Sequence, residues 1–149
     1  MTDTQTAPAG AKVPVWFWIV AVILVLWNGY GVWDFIGTNF MADTYLQAYT
    51  PEQQAYFTGF PMWFTVIWAV AILTAFFGAV ALLIRNPLAV SLSFASVVLY
   101  ILASICSLFV LGGMAVMGMV GLIFTVVLFL ILLAQFWVAR WAVGRGILR

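Results

Sequence analysis

Few side chains in this chain could do chemistry, and they gather in two places. Trp27, Asn28, Tyr30 and Asp34 place an indole, an amide, a phenol and a carboxylate within about two helical turns near the end of the first apolar stretch. Further on, Ser93, Ser96, Tyr100, Ser104 and Ser107 recur at spacings of three, four, four and three. With Ala89 four residues earlier, these six fall on one narrow arc of a helix that turns about 100° per residue. Such groups can hydrogen-bond a polar solute, hold a cation, or bond helices to one another.

Each candidate carries a plain reading beside its sharper one. An amide among apolar residues requires a hydrogen-bond partner. For Asn28 that partner is another helix approaching over Gly29 and Gly31, or a bound ligand. Asp34 reads as a solvated carboxylate at a membrane surface, or as a cation- or proton-binding acid at the mouth of a path. The hydroxyl stripe reads as a packing face that admits a neighbouring helix closely, or as a pore lining that Tyr100 would obstruct. Gln135, near the end of the last apolar stretch, is expected within reach of the membrane interface.

Several chemistries have no residues to carry them. The chain has no histidine and one cysteine, Cys106, which removes every Cys/His catalytic pair and most metal sites. Met114, Met117 and Met119 could suggest a copper cluster, but flexible apolar filling of a turn needs no further ligands. There is no glycine-rich phosphate loop, no acid–base pair with workable placement and no basic nucleic-acid surface. The expectation is a non-enzyme with no metal and no required cofactor. Its eight tryptophans and 13 phenylalanines are enough to contact a bound lipid, quinone or pigment.

The elements that position these residues follow from solvent. Of 149 residues, 67% are hydrophobic and 6% charged, with a mean hydropathy of +1.21, far more apolar surface than a soluble domain of this size can hide. A bilayer core of about 30 Å needs about 20 apolar residues per helix. Four stretches meet that length: 13–33, 61–84, 88–111 and 117–137. The expected fold is all-α, a polytopic four-transmembrane-helix bundle at 13–149, with a polar tail at 1–12 and a large loop at 34–60. Lys12, Arg85, Arg140, Arg145 and Arg149 then share one side, and Asp34, Asp43 and Glu52 the other. The positive-inside rule makes both termini cytoplasmic. Trp16, Trp18, Trp137 and Trp141 form the aromatic belt on that side, and Trp33 and Trp63 on the other. The tail lacks the basic start of a signal peptide, and the first span is too long for one. An ordered tail would need a partner to hold it.

In the loop, Thr50-Pro51-Glu52-Gln53 spells a helix start: a cap, a proline in the first turn and an acid beside it. Tyr45, Leu46, Tyr49, Tyr56, Phe57 and Phe60 give the loop an apolar side that anchors at the membrane surface or caps the bundle. A lid over a periplasmic ligand is the alternative. Trp27-Asn28, Gly31, Asp34-Phe35, Thr50-Pro51-Glu52-Gln53, Pro61, Trp63, Ala69, Ala71 and Leu82-Leu83-Ile84-Arg85 together resemble a family of small bacterial four-span inner-membrane proteins, some labelled "sugar transporter". The likeness covers about the first 90 residues. It departs at the inner loop, where Arg85 stands alone before Asn86-Pro87. It implies solute transport and supplies no catalytic residues.

Two functions therefore stand as expectations. One is an accessory or scaffold subunit whose partners are the lipid bilayer and either further copies of itself or a larger membrane complex. The other is a small-solute, sugar-like carrier acting as an oligomer, with Asn28, Trp27, Tyr30 and Tyr100 facing one cavity.

Overall fold

Long apolar runs have no water to satisfy their backbone in a bilayer, and the helix closes those hydrogen bonds within one segment. The structure, a computed structural model, describes residues 12–149. The polar tail, for which a holding partner is expected, lies outside the described residues up to residue 11. The helices are α1 (Val15–Phe40), α2 (Ala42–Tyr45), α3 (Pro51–Thr58), α4 (Met62–Leu83), α5 (Leu88–Ile105) and α6 (Gly113–Gly144), with a π-helical turn (Cys106–Val110) extending α5. There is no strand among the described residues. Four helices, α1, α4, α5 with its π turn, and α6, are long and apolar enough to cross a membrane.

Small residues set the packing. α4 lies most closely on α5, its buried Ala75, Gly78 and Ala79 side facing the buried Ala89, Ser93 and Val97. α1 joins α4 through Phe17, Ala21 and Leu24. α6 closes the same cluster with Ala139 and Ala142, so the core is densest at the end where α1 starts and α6 finishes.

Two matching turns finish that end. Gly146 takes a left-handed conformation (φ 66°), and Ile147 N–H returns to the Ala142 carbonyl at 2.9 Å while Gly146 N–H reaches Val143. Arg85 does the same after α4 (φ 62°), with Asn86 N–H on Ala81 at 2.7 Å and Arg85 N–H on Leu82. The two turns are then tied together. Arg85 Nε donates to the Ile147 carbonyl at 3.0 Å, and Arg149 N–H donates to the Arg85 carbonyl at 2.9 Å. The segment after α6 thereby tucks Ile147 and Leu148 into the core.

Boundaries differ from expectation at three places. α1 runs to Phe40 rather than stopping at 33, so Asp34 lies inside a helix and not in the loop. Nothing between Asp34 and Phe40 breaks a helix, and Gly37 supplies a flat spot on which the Tyr45 ring packs. α6 begins at Gly113 rather than 117, because Gly112 turns the chain (φ 78°); a kink at Gly118 (φ 57°, ψ −148°) interrupts it near its start, and it continues past 137 to Gly144. Pro61 caps α4 from outside, and the helix starts at Met62.

Candidate functional site

All four long helices meet at one polar node. Asn28 of α1 donates through Nδ2 to Gln135 Oε1 of α6 at 2.8 Å, and its other N–H returns to the Leu24 carbonyl at 2.7 Å. Gln135 Nε2 donates to the Ala75 carbonyl of α4 at 2.9 Å and to Ser93 Oγ of α5 at 3.1 Å. Both N–H bonds of each amide are therefore used. Turning the Gln135 amide over would set donor against donor at Asn28 and acceptor against acceptor at Ala75, so the network fixes its orientation. Gln135 and Ser93 are fully buried, and Asn28 nearly so.

The helix surfaces explain why the node forms here. Gly78 has no side chain, and a Cβ there would stand 3.0 Å from both Gln135 Nε2 and Ser93 Oγ and 3.2 Å from the Ser93 nitrogen. α4 must present hydrogen at that position for α5 and α6 to converge. Ser96, one turn beyond Ser93, is also buried and returns its hydroxyl to the Ser93 carbonyl at 2.8 Å.

The hydroxyl stripe thus faces protein rather than a channel. Tyr100 donates to the Thr125 carbonyl of α6 at 3.0 Å, Ser104 is half-buried, and Ser107 meets the loop helix. Trp27 and Tyr30 do not join Asn28. They are 42% and 62% exposed on the outer side of α1, so the expected carrier set does not face one cavity. Gln135, expected within reach of the interface, is fully buried where the four helices meet. A second amide in an uncharged span was the available signal, since two such amides in one bundle are each other's best partners.

The opposite end is closed by the loop. Thr50 Oγ1 accepts from Gln53 N–H at 3.3 Å and Gln53 Oε1 accepts from Thr50 N–H at 3.2 Å, a reciprocal cap that starts α3. α3 then presents Tyr56 to the π turn, where its hydroxyl lies 2.9 Å from the Ser107 carbonyl and 2.7 Å from Ser107 Oγ. One O–H can donate to the carbonyl while its oxygen accepts from the serine. Gly113 leaves the room for this contact, since a Cβ there would overlap the Tyr56 oxygen. Burial pushes the Tyr56 phenol above its ordinary value, and the Ser107 bond partly offsets that.

An aromatic column continues inward from α3. Tyr56 and Phe57 stand edge-on to Phe60, Phe60 meets Phe64 and Trp68, and Trp68 meets Phe35 of α1 at 4.9 Å. Tyr45 donates to Asp34 Oδ1 at 2.7 Å, so this half-buried carboxylate is held by a phenol from α2. Burial first, and then the Asp34 carboxylate, push the Tyr45 phenol well above its usual range and keep it a donor.

Among the described residues no three His, Cys, Asp or Glu side chains converge to hold a metal. The two best-formed cavities lie at opposite ends of the molecule. One is a shallow hollow around Asn39–Thr44, and the other is framed by Lys12, Pro14, Trp141, Arg145 and Ile147. No family model, no curated protein and no solved structure matches this chain.

Proposed function

We propose that this chain is a non-catalytic integral protein of a bacterial inner membrane, with both termini cytoplasmic, acting as an accessory or scaffold subunit. It packs against further copies of itself or against a larger membrane complex. α6 carries this reading. In its most apolar stretch 6% of residues are buried, against 22%, 33% and 28% in the other three long helices. Val120, Phe124, Val127, Leu130 and Trp137 are all exposed along one broad side of α6. A helix so lightly used inside its own bundle offers a long, regular surface for a neighbour. The node supports the same reading, because all four amide N–H bonds of Asn28 and Gln135 go to protein acceptors rather than being held ready for a solute.

The test places a photo-crosslinking residue at Val127 in native membranes and compares it with one at Leu102, an exposed position on α5. A single discrete protein adduct at Val127, either a dimer of this chain or one stoichiometric membrane subunit, is the expected outcome. Adducts to lipid alone at both positions, with saturable solute uptake by the purified protein in liposomes, would replace the scaffold reading with the carrier one.

A further inference from the structure

The end where α1 starts and α6 finishes holds a feature beyond the packing role. All five basic residues gather there. Lys12 precedes α1, Arg85 follows α4, and Arg140, Arg145 and Arg149 lie at or after the end of α6. Asp34, Asp43 and Glu52 are all at the other end, so no described carboxylate side chain balances these charges. A cavity of about 270 Å³ opens between the start of α1 and the end of α6, lined by Lys12, Pro14, Trp141, Arg145 and Ile147.

Its walls are fixed by packing. Trp16 rests on Trp141 with ring centroids 4.6 Å apart, and the Arg145 guanidinium carbon sits 5.6 Å from the Trp141 ring centre. Ile147 is held from behind by Arg85 Nε, and the Nη2 of that same arginine is buried with no hydrogen-bond partner among the described residues. A hollow with two cations, a further unsatisfied guanidinium donor next to its wall and no acid among the described residues that line it calls for an anion. Tryptophans such as Trp16 and Trp141 sit at headgroup depth in a membrane, where the abundant anion is a phosphodiester.

We propose that this cavity is a binding site for the phosphate headgroup of an anionic phospholipid, with Lys12 and Arg145 as its two charged contacts and Trp141 as its floor. Arg145 supplies a planar donor pair that suits phosphate oxygens, and Lys12 closes the open side as a point charge. A phosphate with its three glycerol carbons fits within the volume of about 270 Å³, while the acyl chains run outward along α1 and α6.

The test uses the full chain in detergent with native mass spectrometry, titrated with phosphatidylglycerol and, separately, with phosphatidylcholine. The expected result is saturable retention of one phosphatidylglycerol at concentrations where phosphatidylcholine is not retained. Each of Lys12→Gln and Arg145→Gln should weaken retention about fivefold, and the pair about 30-fold. Arg140→Gln removes an equal charge from the same end without touching the cavity, and should change retention less than twofold. Excess inorganic phosphate should fail to displace the lipid. Equal retention of both lipids, an Arg140→Gln effect as large as that of Arg145→Gln, or displacement by free phosphate would each overturn the proposal. Failure of this site would leave the α6 crosslinking result unaffected, so the two readings fall separately.

Discussion

Replacing Gln135 by leucine removes the hub of the four-helix node while keeping its volume nearly unchanged. The side chain makes three hydrogen bonds, to Asn28, Ala75 and Ser93, each to a different helix. Side-chain hydrogen bonds between membrane helices contribute about 0.6 kcal/mol on average and up to about 1.7, so the three together stabilise the bundle by about 2 kcal/mol. One Asn28 N–H is then stranded in an apolar interior, at a further cost of about 1–3 kcal/mol. The Ala75 carbonyl is less affected, because the α-helical bond of its own chain remains. The expected loss for Gln135→Leu is thus about 3–5 kcal/mol.

The double substitution makes the reasoning refutable. Asn28→Leu alone leaves Gln135 Oε1 without its donor and should cost about 2–3 kcal/mol. Asn28→Leu with Gln135→Leu strands neither amide, so the pair should cost clearly less than the sum, with a coupling of about 2 kcal/mol. Reversible unfolding in bicelles by steric trapping measures all four corners. Gln135→Glu adds a second handle, since a neutral carboxyl can donate to one acceptor while a carboxylate donates to none. Its stability should therefore fall as pH rises and the carboxyl ionises. A Gln135→Leu protein within about 0.5 kcal/mol of wild type, or single losses that simply add, would remove the node as a source of stability.

Three further outcomes follow from the geometry. Gly78→Ala places a methyl 3.0 Å from Gln135 Nε2 and Ser93 Oγ, and should destabilise by about 1–3 kcal/mol in the same assay. Tyr56→Phe removes the bonds to Ser107, and should speed amide exchange across Pro51–Thr58 about fivefold while leaving α4 protected. Because burial raises the Tyr56 pKa, its contribution is complete below about pH 10, the unfolded value, and is lost as pH rises through the folded one. Exchange in α3, corrected for intrinsic rates, should therefore be flat from about pH 6 to 9. Gly118→Ala forces a side chain into φ 57°, ψ −148°, and should cost about 1–3 kcal/mol or straighten α6, which a spin-label distance between its two ends would detect.

The four long helices and the sorting of charge could be read from the chain because both are properties of one segment at a time. Hydropathy depends on a window, and the cap at Thr50-Pro51-Glu52-Gln53 depends on four neighbours. What escaped depends on contacts between distant segments. Asn28 and Gln135 are 107 positions apart, and Tyr56 and Ser107 are 51 apart. An amide near a helix end looks like an interface residue until the angular position of the helix is known. The inward tuck after α6 did leave a local trace. Gly146 followed by Ile147-Leu148 is the pattern of a left-handed stop whose next residue is apolar and turns back onto the helix. The end of α1 left none, since Asp34–Phe40 contains residues that tolerate either state.

The same node bears on the choice between scaffold and carrier. A carrier must open its bundle on alternate sides of a midplane site, and its binding groups must exchange partners as it does so. Asn28 is the buried amide of α1, and its two donors are already taken by Leu24 and Gln135. A sugar oxygen accepting from the Asn28 amide in place of Gln135 would break the bond to the residue that in turn holds α4 and α5. Separating α1 from α6 would then loosen three interfaces at once rather than one. A rocking mechanism works best when contacts on either side of the site break independently, whereas a scaffold gains from contacts that break together. The hub arrangement of Gln135 therefore favours a bundle that holds one shape and presents its exposed α6 surface to a neighbour.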